Sequence, residues 1–169
     1  MNTSLDTADS SNVVVRALDK ILAPTAKGFD YLHPLLALCL RIYVSWQFLK
    51  SGWLKITDWS QTLDLFDYEY HVPVLPPHAA AVVGTFGELF FPVLLILGLG
   101  GRLAPLGLFA VNALAVISYS NVLLAEGFEA ALGQHILWGT ILLVLIVYGQ
   151  GALALDRLIQ PGDAKTRRW

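Results

Sequence analysis

The chain has 169 residues, 56% hydrophobic and only 14% charged, with a net charge of −2 and a mean hydropathy of +0.60. Soluble domains carry about 25% charged residues, so much of this surface faces something other than water, and no basic patch marks a nucleic-acid binder. The single cysteine, Cys39, excludes an intramolecular disulfide and a Cys-x-x-Cys redox centre.

Residues 1–31 begin polar and acidic, and Arg16, Asp19 and Lys20 interrupt the apolar stretch, which does not fit a signal peptide. Val14, Leu18, Ile21 and Leu22 recur at helical spacing and predict a short amphipathic surface helix over 12–23, with a disordered tail as the alternative. A first span is expected from His33 to Leu49, with Pro34 in its first turn and nothing to stop it before Lys55. Residues 56–77 are polar and acidic. Apolar positions 59, 63, 66 and 70 predict an amphipathic helix at the interface, and the proline-rich 71–77 an extended link. The second span is read over His78–Leu97, with Gly98–Gly101 as its exit. The third runs from Arg102 to Leu124, a turn covers Glu126–Gly133, and the fourth span is Gln134–Tyr148, broken by Gly149-Gln150-Gly151.

The expected fold is therefore all-α: a polytopic four-transmembrane-helix bundle over 32–156, flanked by a tail over 1–31 and a basic tail over 157–169. With both termini cytoplasmic, the inner face carries Arg16, Lys20, Lys27, Arg102, Arg157, Lys165, Arg167 and Arg168. The outer face carries Lys50 and Lys55. That asymmetry matches the tendency of basic residues to stay on the cytoplasmic side.

Three polar residues fall inside the spans. Counted from the cytoplasmic ends at about 1.5 Å per residue, Arg41 lies about 12 Å deep, Glu88 about 14 Å and Asn112 about 15 Å. A lone charge at that depth costs about 2.5–3.5 kcal/mol on insertion scales. An Arg41–Glu88 salt bridge is expected, with Asn112 hydrogen-bonded to one of them. Either the pair fixes helix register, or it lines a pocket for a polar head group, a quinone or a proton.

Four stretches resemble the DoxX family of small four-helix membrane proteins of bacteria and archaea. They are Arg41 with the later FLKSGWLKI (Gly52, Lys55), GTFGELFFPVLLILGLGGRLAPL (Gly87, Glu88, Arg102), the small and polar third span, and GQGALALD (Gly149, Gly151, Asp156). Some relatives are subunits of a thiosulfate:quinone oxidoreductase; others are linked to oxidative-stress complexes or to metal-handling peptides. The resemblance implies a bacterial or archaeal inner-membrane protein, working as a subunit of a redox or quinone-linked system. The alternative is a non-enzymatic membrane partner or small-solute transporter, linked to metal or metal-peptide handling. The candidate partners are the lipid bilayer and a second copy or a redox protein; no cofactor is assigned, and on the redox reading a quinone is the candidate.

Haem is disfavoured, because His33 falls at the cytoplasmic end of the first span and His135 at the outer end of the fourth, about a membrane thickness apart. His71 and His78 are candidate metal ligands, but prolines 73, 76 and 77 separate them, and ordinary interfacial histidines are the competing reading. Trp46, Trp53, Trp59 and Trp138 read first as interfacial anchors, with stacking on a quinone ring as the alternative. Asp156 either caps the end of the fourth span or is a solvated charge.

Overall fold

A computed structural model describes residues 32–159, so the helix expected over 12–23 and the tail beyond residue 159 lie outside the described residues. Among the described residues seven helices follow in order: α1 Leu32–Thr57, α2 Trp59–Tyr68, α3 Pro77–Leu97, α4 Leu103–Ser118, α5 Ser120–Leu123, α6 Glu129–Tyr148 and α7 Leu155–Ile159. No strand occurs among the described residues. Helices α1, α3 and α6 are long and apolar enough to cross a membrane; α4, at 16 residues, is apolar but shorter.

The four long helices run up and down, each antiparallel to the next, and share one core of Val44, Phe48, Leu95, Leu108, Leu142 and Leu145. Their inward stripes follow helical periodicity. On α1 the buried positions are Ala37, Arg41, Val44, Ser45, Phe48, Gly52 and Lys55; on α3 they include Ala81, Thr85, Glu88, Pro92 and Leu95. The opposite faces expose Leu36, Ile42, Trp46, Val82, Phe86 and Val93. In lipid, burying leucine gains little over leaving it in the tails, so close packing around small residues matters more. A Cβ on Gly87 would sit 2.7 Å from Val111 Cγ2 on α4, and one on Gly52 3.1 Å from Glu88 Cβ on α3.

Boundaries shift where local chemistry outweighs hydropathy. The turn expected over Glu126–Gly133 is shorter, because α6 already starts at Glu129, whose carboxylate suits the positive end of the helix dipole. The third apolar run breaks at Tyr119 into α4 and the one-turn α5. Helix α7 crosses the domain boundary placed after residue 156.

The amphipathic segment forms α2, capped by Asp58, whose Oδ1 accepts from Gln61 N at 3.0 Å. Thr62 Oγ1 donates to the carbonyls of Lys55 and Asp58 (3.0 Å each), folding α2 back on the end of α1. Phe66 then packs on Ala80 and Ala81 of α3. The link after it is non-helical but not extended throughout, since residues 73–75 bend and Pro77 already opens α3; His71 N ties it down by donating to Ser118 O at 2.8 Å. It closes in a three-residue turn centred on the fully exposed Val74, at φ 75°, with Leu75 N donating to Pro73 O. That conformation is strained for a β-branched residue.

Candidate binding site at the Lys55–Glu88 ion pair

Arg41 and Glu88 do not meet. Gly52, rather than Arg41, lies level with Glu88, and the eleven-residue step from Arg41 to Gly52 amounts to about 16 Å of helix. Direction completes the separation. Helical side chains lean toward their own N-terminus, and α1 and α3 are antiparallel, so Arg41 and Glu88 lean apart.

Arg41 is wholly buried and donates to four carbonyls: Leu95 O (2.7 Å) and Ile96 O (2.5 Å) at the end of α3, and Gln150 O (3.0 Å) and Leu153 O (3.4 Å) after α6. The last carbonyls of a helix have no intrahelical donors and carry the negative end of its dipole. The guanidinium therefore needs no carboxylate here; its fork satisfies two chain ends at once. Family-motif residues complete this end of the bundle. Gly98 (φ 74°) ends α3 in the left-handed region, with no room for a Cβ beside Ala154, and Gly151 (φ 82°) lets the loop press against Ala37. Gly149 (φ 85°) follows the end of α6. Arg102 donates to Val147 O at 3.2 Å, and Gln150 Nε2 donates to Gly101 O. Asp156 does not cap the fourth long helix: its Oδ2 accepts from Gly101 N at 2.6 Å, in the α3–α4 turn.

The same lean that separates Arg41 from Glu88 brings Lys55 to it. Lys55 Nζ reaches back one turn to Ser51 Oγ (2.9 Å) and contacts both carboxylate oxygens of Glu88, at 2.8 and 2.6 Å. Both side chains are 10% exposed. All three ammonium hydrogens are used, which is the condition under which a buried pair is tolerated. Pro92, one turn after Glu88, has no N–H for the Glu88 carbonyl, so α3 is locally one hydrogen bond short at this residue.

The pair forms the floor of a cavity of about 210 Å³, walled by α1, α3, α4 and α6 and covered by α2 and the link. At about 30 Å³ per water, that is room for about seven waters or one small ring. Phe66, Tyr70 and Tyr119 stack edge to face along its upper side, with centroids 4.8 and 5.0 Å apart. Tyr119 Oη donates to Glu69 Oε2 at 3.2 Å. Burial, with Glu88 adding to it, pushes the Tyr70 phenol up to about 12, so the hydroxyl stays neutral.

Asn112 joins neither expected partner. It bonds His135 on α6: Nδ2 donates to the His135 carbonyl (3.0 Å) and Oδ1 faces His135 Nδ1 (2.9 Å). His135 itself lines the cavity, with Trp138 edge-on to its ring at 4.9 Å. His78 pairs with Asp67 at 3.2 Å, and His71 is held through its backbone. Among the described residues no three His, Cys, Asp or Glu side chains could share a metal ion.

Lys55 and His135 are the residues whose roles sequence reasoning missed. Residue counting placed both near the outer ends of their spans, outside the hydrocarbon. The available signal was the Ser51/Lys55 spacing of four beside Gly52, which puts a lysine head one turn deeper than its Cα.

The family model for DoxX matches residues 36–121. The chain belongs to the DoxX family. The matched region holds Arg41, Lys55, Glu88 and Asn112, hence the ion pair and the contacts of Arg41 with α3; His135 and the loop after α6, with the other two carbonyls that Arg41 meets, lie beyond it. With its apolar helices, this makes the chain a multi-pass membrane protein of DoxX type. A Haemophilus influenzae protein described only as an uncharacterized protein is 28% identical over 129 residues, covering 73% of this chain and 82% of that one. No solved structure matches the chain.

Proposed function

We propose that this DoxX protein is a membrane subunit of a quinone-linked redox system, and that the Lys55–Glu88 cavity receives the ring head group of a lipid-soluble carrier. The observation that carries the reading is the position of the ion pair. It lies at the floor of an aromatic and apolar cavity instead of being sealed between helices. Small-molecule sites are mostly apolar concavities with a few convergent polar groups, and intramembrane ion pairs mark such sites. The apolar core of Val44, Phe48, Leu95 and Leu142 lies between this cavity and Arg41, which supports a binding pocket over a continuous solute path.

The reading includes a topology of four spans in a bacterial inner membrane. Helices α4 and α5 together cover 103–123, about 31 Å of near-continuous helix, enough for the fourth crossing. Basic residues in both flanks and at Arg102 and Arg157 favour a cytoplasmic Arg41 end, while Lys55 at the other end is taken up by Glu88.

The test is to purify the full chain with its native lipids and identify co-purifying small molecules by mass spectrometry. A quinone at near-stoichiometric yield is expected for the wild type and should be depleted in Glu88→Gln. Equal quinone in both preparations, at the level of bulk lipid, contradicts the proposal.

A further inference from the structure

The polar lining of the cavity is unequal in donors and acceptors, and this bears on which form of a ring ligand it takes. Lys55 has no hydrogen left to give, since Ser51 and both oxygens of Glu88 occupy all three. Glu88, by contrast, keeps spare lone pairs on each oxygen. On another wall stands His135, and its protonation pattern follows from its neighbour. The Asn112 amide is oriented by its Nδ2 donating to the His135 carbonyl, so the atom facing His135 Nδ1 is an oxygen. Oxygen can only accept. Nδ1 therefore carries the proton, and in the neutral ring Nε2 is a bare acceptor. No hydrogen bond to Nε2 occurs among the described residues, and it is the ring nitrogen left for a ligand. Gly139 leaves space for this arrangement, since a Cβ there would stand 3.2 Å from Asn112 Nδ2. The hydroxyls of Ser51, Tyr70 and Ser118 serve as donor or acceptor and do not redress the balance.

We infer that the Lys55–Glu88 cavity selects a hydroxyl-bearing ring, such as a hydroquinone, over its carbonyl counterpart, with His135 Nε2 and Glu88 as acceptors and Asn112 as the residue positioning the imidazole. The inference rests on the binding reading above and narrows its ligand class. A quinone brings only acceptor oxygens to an acceptor-rich wall and leaves Nε2 unpaired, whereas the reduced ring donates to it.

The test uses the full chain in detergent under anaerobic conditions, titrated calorimetrically with duroquinone and with durohydroquinone. Durohydroquinone should bind about tenfold more tightly, the effect of one added hydrogen bond to a buried acceptor. His135→Phe should bring the two affinities together, and Asn112→Leu should narrow the gap. Independently of any variant's folding, ¹⁵N spectra of the wild-type histidines should show a pyrrole-like Nδ1 and a pyridine-like Nε2 for His135. Equal or tighter binding of duroquinone, or a proton on Nε2, overturns this inference while the binding reading stands. Binding of neither ring overturns both.

Discussion

Replacing Arg41 by methionine keeps the bulk of the side chain and removes every donor to the carbonyls of Leu95, Ile96, Gln150 and Leu153. Hydrogen bonds from a charged donor contribute about 1.5–3 kcal/mol each, and the orphaned carbonyls are buried. A loss of at least about 3 kcal/mol is expected, read as a lower melting temperature in detergent. Arg41→Lys should rescue little, because one ammonium cannot span two chain ends as the planar fork does. At the other end, Glu88→Leu strands the Lys55 ammonium and Lys55→Met strands the carboxylate. Each single change should cost about 3–5 kcal/mol, the range for leaving one buried charge uncompensated. Near-wild-type melting of either variant would mean that water reaches the pair freely. The Ser51/Lys55 spacing carries a signal for the depth of the lysine head, but which charge meets which could not be read from type and spacing alone. Arg41 and Glu88 looked like partners because both are ions at similar counted depth, and counting carries no information about the lean of side chains on antiparallel helices.

At the scale of elements, the α3–α4 turn and the loop after α6 hold each other. Asp156 Oδ2 accepts from Gly101 N, Asp156 N donates to Gly98 O, and Gln150 Nε2 donates to Gly101 O. Asp156→Ala removes the carboxylate from that turn and is expected to cost about 1–2 kcal/mol, as for loss of a capping side chain. Faster hydrogen exchange should be confined to 98–102 and 149–157. Uniform acceleration through α6 would contradict this assignment. Element order was largely legible in the sequence, because lipid enforces long apolar runs and the breaks between them carry glycine and proline. The 3–4 spacing of apolar residues in 59–70 likewise marked α2. The sequence did not reveal what α2 covers. Its buried face, Thr62 and Phe66, reads alike for a helix lying on a bilayer and for one folded over a pocket.

For the whole molecule, the proposed topology puts the Arg41 end of the bundle toward the cytoplasm and the cavity toward the other face of the membrane. Reporter fusions after residue 169 and before residue 1 should both be active in the cytoplasm, and one inserted at Val74 should be active only outside. A cytoplasmic reporter at Val74 would invert the topology. The central claim is that the Lys55–Glu88 pair serves a ligand, in addition to any part in holding α1 against α3. The double variant Lys55→Met/Glu88→Leu separates the two roles, because it replaces a buried ion pair with apolar groups of similar size, which often leaves stability unchanged or raises it. Its melting temperature and its calorimetric affinity for durohydroquinone, measured beside the wild type, form the most direct test. Retained stability with binding lost is the expected result; an intact double variant that binds the ring as the wild type does would contradict the ligand role.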